Sequence, residues 1–164
     1  MGLSWDESYV GQLRALAGPE RTLITMGARA VLRDDAGRVL LIRRSDNGLW
    51  AFPAGTMELG ETMRGCAIRE VLEETGLVVG AVTPFGLYTY LADRGPDMYG
   101  HTQQHITLAC RVDRYEGELV RVTDETTDAA FYPLDALPEG LSSSVAQSLT
   151  DLAAFEATGQ FLLQ

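Results

Sequence analysis

Residues 55–77 read GTMELGETMRGCAIREVLEETGL, and they decide the fold. Glu70, Glu73 and Glu74 fall at positions i, i+3 and i+4, a spacing that places three carboxylates on one face of a helix. Like charges this close repel by a few tenths of a kcal/mol per pair even on an exposed helix, so the cluster points to a cation that it holds. The helix has clear ends. Thr62 is a good N-cap and Gly76 a good C-terminal stop, which predicts a helix over 62–75. At about 100° per residue, Ile68, Val71, Leu72 and Thr75 share a face roughly opposite the acids, giving one core face and one acid face. Gly55 and Gly60 in the preceding loop let the backbone approach a metal or a phosphate closely.

Outward from this helix, the N-terminal side holds a short apolar segment, 49–53, whose Pro53 marks an edge or a turn. Residues 23–44 read as a β-hairpin, with strand-like runs on either side of the Asp- and Gly-rich turn 33–37. Residues 1–20 read as an N-terminal arm with a short amphipathic helix, Ser8 to Ala17, stopped by Gly18-Pro19. On the C-terminal side, 77–91 reads as strand, bend and strand, 93–100 as a loop, and 104–112 and 128–132 as strands. A short turn of helix lies between Pro133 and Pro138. Ser142 or Ser143 caps a final helix to about Glu156, with Val145, Leu149, Leu152 and Phe155 as its buried stripe. The order β-β-α-β-β-β-α predicts an α/β chain, a mixed sheet with helices on its faces, and a single domain over 21–164.

Composition narrows the function classes. The chain has 164 residues, a net charge of −10 and a pI near 4.5. That charge argues against a surface that coats a nucleic acid polymer, but not against a small phosphate-bearing substrate, because bound metal reverses the field where acids cluster. No run of eighteen apolar residues is present, so no membrane span is expected. The N-terminus carries early acids and no uninterrupted apolar core, which makes it a poor secretory signal. Cys66 and Cys110 sit in no CxxC or Cys/His cluster and read as reduced, structural thiols of a cytoplasmic protein.

Five residues separate Gly55 from Glu61, and seven more separate Glu61 from Arg69-Glu70; Val71, Leu72, Glu73, Glu74, Thr75, Gly76 and Leu77 follow. This spacing resembles the Nudix box, G-x5-E-x7-R-E-U-x-E-E-x-G-U with U aliphatic, and every fixed position is met. The flanks are similar to the family as well, with LLIRR at 40–44, LWAFPAG at 49–55 and FYPLDALP at 131–138, so the likeness covers most of residues 23–138. The resemblance implies a Nudix fold, an α/β/α sandwich with a mixed central sheet, of MutT-like type. It also implies a loop-helix-loop in which Glu70, Glu73 and Glu74 ligate Mg²⁺ or Mn²⁺, with Glu70 or Glu74 as the possible base. Hard cations want oxygen ligands, and three glutamates supply them. In isolation the same three acids would read as a solvated helix face. Gly55, through its backbone, and Glu61, through water, complete the candidate metal set. Glu61 has an equally good structural role as the partner of Arg69, and Arg69 reads as the residue that orients the acids.

Outside the box the pattern thins. Many relatives carry a further acid distal to the box, and Glu125 and Asp128 are candidates for that role or for substrate contact, with surface acids as the alternative. Arg43 and Arg44 follow the second strand and could meet phosphate or simply end it. Trp50, Phe52, Tyr88 and Tyr90 could stack on a base, although core packing suits at least half of them. His101 and His105 have no acid or Cys cluster beside them and read as loop or pocket histidines. The subclass markers are missing. Leu91-Ala92 stands where an ADP-ribose type has proline, Asp93, Arg94 and Gly95 stand where a diadenosine polyphosphate type has tyrosine, and the coenzyme A motif is absent. The expected reaction is metal-dependent hydrolysis of a diphosphate bond in a nucleoside triphosphate, nucleotide sugar or dinucleotide. The alternatives are a Nudix-fold regulatory module without turnover and an isoprenoid diphosphate isomerase. Many relatives form homodimers, and the arm at 1–20 is a segment that such a dimer could use.

Overall fold

A computed structural model describes residues 3–91 and 101–164. Among these residues, two sheets and three helices form in the order α1 (Tyr9–Ala17), β1 (Leu23–Val31), β2 (Val39–Arg44), β3 (Trp50–Ala51), β4 (Ala54–Thr56), α2 (Met63–Thr75), β5 (Val78–Tyr90), β6 (Gln103–Glu116), β7 (Thr126–Tyr132), α3 (Ser143–Thr158) and β8 (Leu162–Leu163). The larger sheet is mixed, with order β4-β1-β6-β5-β8; β1 and β6 run parallel, while β4 and β5 pair antiparallel to them. The smaller sheet, β3-β2-β7, is antiparallel. The α/β class and the mixed sheet agree with the sequence reading.

The hairpin expected over 23–44 is not a paired ribbon. Its turn forms, but past the single bridge Arg33↔Val39 the two strands part into different sheets. The cause is burial. From Ala28 to Leu32 every residue of β1 and its exit is covered, with Ala28, Ala30 and Leu32 in one core cluster and Val31 in the other. A strand buried on both faces takes central partners, here β6 and β4, rather than its sequence neighbour. The expected strand, bend and strand over 77–91 is one long strand, β5, with register irregularities between Val79 and Gly86. The segment between Pro133 and Pro138 is a hydrogen-bonded turn, not helix. Residues 93–100, read as a loop, lie outside the described residues.

Helix α2 begins where Thr62 accepts from the Gly65 N–H (3.0 Å) and ends where Gly76 takes φ +73°, a left-handed cap that a residue with a side chain would strain. Its inward stripe differs from the expected one. Cys66, Ala67, Glu70, Val71, Glu74 and Thr75 are buried, whereas Leu72 is 47% exposed. Two of the acids therefore lie on the buried stripe itself, beside the core residues, and not opposite it. Helix α1 is tied to the rest by the Tyr9 N–H, which donates to Glu58 (2.7 Å), and by Arg14, which donates to the Arg21 carbonyl (2.6 Å).

Candidate active site

The i, i+4 spacing of Glu70 and Glu74 stacks them one helical turn apart, and the buried stripe of α2 carries both inward. Strand β4 receives them. The Ala54 N–H donates to Glu74 Oε2 (2.9 Å), and a Cβ on Gly55 would meet the Glu70 carboxylate, so the bare glycine leaves the space this carboxylate occupies. Glu125 arrives from the turn before β7, where Ser45 N–H holds its carbonyl (2.9 Å) and the β2–β7 ladder shifts register between Arg43 and Arg44. Such a bulge re-aims the chain next to it. One oxygen from each of Glu70, Glu74 and Glu125 lies within 4.8 Å of the others.

The electrostatics of the cluster are strained. Glu70 is 5% exposed and Glu74 2%. Burial pushes the Glu70 carboxyl up to about 7, against the pull of Arg69 and with help from Glu125 and Glu73. Burial, then the neighbouring Glu70, pushes Glu74 well above the carboxylate range, although the Ala54 N–H and Arg44 oppose it. A hard divalent cation offsets both effects, and three converging carboxylates are the oxygen donor set that such an ion takes. The residues present fit a Mg²⁺ or Mn²⁺ ion.

Arg69 organises the other acids. Its guanidinium donates to Glu61 (2.8 Å), Glu70 (2.7 Å), Glu73 (2.8 Å) and the Thr56 carbonyl (2.9 Å). Glu61 takes the structural alternative: besides Arg69 it accepts from the Glu58 N–H (2.7 Å) and so fixes the loop before α2. Burial works against its charge, but these partners hold Glu61 below the usual carboxylate range. Glu73 lies outside the three-carboxylate cluster, paired with Arg69, although it lines the same cavity.

That cavity, of about 840 Å³, runs from the acids past β4 and β1 to the start of β6 and the N-terminal arm. Arg44 lines it but is paired with Asp46 (2.6 Å). Arg43 is not among its lining residues and donates to the Gly48 carbonyl (3.2 Å). Asp128 is likewise away from it, paired with Arg121 (2.8 Å). Tyr88 is 2% exposed and donates to Asp151, so it packs in the core with Trp50 and Phe52. Tyr90 stacks on Tyr88 and accepts from Arg29. His105 lines the cavity and meets Thr25 Oγ1 at 2.8 Å, and His101 stacks on Trp5 at 6.0 Å. Sequence reasoning missed two contributors. Arg29 sits mid-strand in an apolar run with no motif around it, and Leu3, Trp5, Ser8 and Val10 bring the arm to the cavity wall.

The chain is similar to known proteins over most of its length. The NUDIX domain profile matches residues 24–152. A MutT-like protein of Streptomyces ambofaciens is 31% identical over 143 residues, covering 87% of this chain and 84% of that protein. An ADP-ribose pyrophosphatase of Methanocaldococcus jannaschii is 36% identical over 105 residues, covering 62% of this chain and 58% of that protein. Among solved structures, a MutT NUDIX hydrolase from Burkholderia pseudomallei superposes with a TM-score of 0.64 at 23% identity, covering 79% of this chain and 98% of that one. With the box complete, its acids gathered at one cavity and most of the chain inside the matched span, the protein belongs to the Nudix family and is a Nudix hydrolase.

Proposed function

We propose that this Nudix hydrolase cleaves a diphosphate bond in a nucleoside diphosphate-linked small molecule, using Mg²⁺ or Mn²⁺ held by Glu70, Glu74 and Glu125. The observation that carries this reading is the convergence of those three carboxylates, with Glu70 seated at Gly55 and Glu74 at the Ala54 N–H. When bound, the cation supplies charge neutralisation at the phosphoryl oxygens and lowers the pKa of water. The chain does the rest. Water attacks phosphorus and the bridging oxygen leaves with one half of the molecule. Glu70 suits the role of proton acceptor, because it stands in the cluster with its direction fixed by Arg69. Glu74 is the alternative base, and Glu73, whose Oε2 accepts from Arg69, keeps Oε1 for the ion or its water.

The isomerase alternative has no cysteine to use. Burial pushes the Cys66 thiol up to about 12 and the Cys110 thiol up to about 11, and both are fully covered. The test is a screen of nucleoside triphosphates, nucleotide sugars and dinucleotides with Mg²⁺ and Mn²⁺ separately, run in ¹⁸O-water to locate the attacked phosphorus. Labelled phosphate-bearing products are expected. Calorimetric binding of nucleotides with no turnover in either metal would instead make the chain a regulatory module.

A further inference from the structure

Among the described residues, Arg29 is the arginine of the cavity that no acid engages. It is 8% exposed, and it lines the cavity where β1 pairs with β4. Among the described residues, Arg29, Arg44 and Arg69 line that space. Arg69 is held by Glu61, Glu70 and Glu73, and Arg44 by Asp46. Arg29 has only neutral partners: its Nη1 donates to Tyr90 Oη (3.2 Å) and Ser148 Oγ (3.0 Å), and its guanidinium lies 5.6 Å from the Tyr90 ring centre. Its Nε and Nη2 have no acceptor among the described residues. Asp151, the buried acid of α3, accepts from Tyr88 (2.9 Å), whereas the partners of Arg29 among the described residues are Tyr90 and Ser148. A guanidinium taken out of water without a carboxylate is costly, and such a group is retained where an anion comes to it. The position suits that anion. Arg29 pairs in register with Ala54, whose N–H holds Glu74, and Arg29 lines the same cavity as Glu70, Glu74 and Glu125.

We propose that Arg29 is a phosphate ligand of the substrate: its free guanidinium edge binds non-bridging oxygens of the diphosphate whose other oxygens face the acid cluster. A planar fork of this kind binds phosphate oxygens in pairs, which a lysine does not reproduce. The assignment rests on the hydrolase reading for the identity of the ligand, but it is a statement about binding and can be read without turnover.

The experiment uses the full chain with Mg²⁺ and α,β-methylene ADP, a nucleoside diphosphate that cannot be cleaved at the bridging position, followed by calorimetry. R29Q is expected to weaken its binding at least tenfold and R29K by less, while Mn²⁺ affinity and Tm stay near those of the wild-type chain. In turnover, the same variants raise KM more than they lower kcat. Unchanged affinity in R29Q overturns the assignment, as does a loss that only tracks a fall in Tm, which is what tying Tyr90 and Ser148 alone would produce. Failure of the wild-type chain to bind the analogue also overturns it. The two readings separate cleanly: turnover that ignores Arg29 removes this assignment and leaves the hydrolase, whereas Arg29-dependent binding without turnover of any substrate removes the hydrolase and leaves the phosphate site.

Discussion

The two ends of the cavity are built by opposite means. At the acid end, Glu70 and Glu74 come from one helix, and Gly55, Glu61 and Arg69 from the same short stretch, so most of the parts lie close together in the sequence. At the other end, Trp5, Arg29 and His105 come from the arm, β1 and β6, and only tertiary pairing brings them together. Chemistry that needs fixed angstrom-scale geometry sits on a rigid local element, and contacts that can vary between substrates sit where separate segments meet.

The largest effect expected from breaking the acid end is on turnover. E74Q and E70Q should each lower kcat by about 10²- to 10⁴-fold, the range for losing a positioned proton-transfer group or its ligand set. E125Q should cost less, since Glu125 is exposed and reaches the cluster from outside α2. The two buried variants should also raise the Tm of the metal-free chain near pH 8, because each removes a charge that burial disfavours. Retained metal-dependent turnover in both would falsify the assignment of these residues.

What the sequence revealed follows the same division. The helix at 62–75 was legible because Thr62 and Gly76 bound it chemically and because the acid spacing is local. Its orientation was not. Apolar periodicity put Leu72 inside, but the buried stripe accepts Glu70 and Glu74 because Gly55 and the Ala54 N–H receive their carboxylates, a fact held in β4 and not in the helix. Glu125 was only one of two candidate acids. What separates it from Asp128 is the register shift beside it and the pairing of Asp128 with Arg121, neither of which leaves a local sequence signal. Arg29 reads as an interruption in an apolar strand until the pairing of β1 with β4 places it in the cavity. Likewise the 33–37 turn was correct while the hairpin was not, since burial of β1 on both faces is a property of the whole fold.

Second in size is the backbone seat of Glu70. G55A puts a methyl where the Glu70 carboxylate lies, so either the carboxylate or β4 shifts. Displacing a ligand's support typically costs 10- to 100-fold in metal affinity or activity. Mn²⁺ titration of G55A against the wild-type chain checks this, and an unchanged affinity would mean that the carboxylate has room to turn aside.

A smaller effect is expected at the variable end. Removing residues 1–7 takes away Leu3 and Trp5 from the cavity wall but keeps Ser8, the N-cap of α1. One lost aromatic contact corresponds to roughly a two- to tenfold rise in KM with kcat unchanged. Steady-state kinetics on the best substrate read this directly, and sedimentation of the same truncated chain shows whether the arm instead serves a dimer. A drop in kcat at constant KM would place the arm's influence at the acid end and erase the division drawn above.

The last effect is a shift of a few degrees in Tm, and its sign is fixed by Glu70. Its carboxyl titrates near 7 in the folded, metal-free chain against 4.5 as the ordinary value. Because the folded state holds the proton more tightly than the unfolded one, this group's contribution to stability is fully present below about pH 4.5 and is lost as pH rises through 7. Glu74 acts in the same direction. The metal-free chain should therefore melt a few degrees lower at pH 8 than at pH 6, a shift of the size that about 1 kcal/mol produces in a domain of this length. Mg²⁺ should raise Tm more at pH 8 than at pH 6, since it binds the deprotonated cluster. The double variant E70Q/E74Q should flatten both dependences. An equal dependence in that variant would locate the titration outside the acid end and remove the burial argument on which its contrast with the rest of the cavity rests.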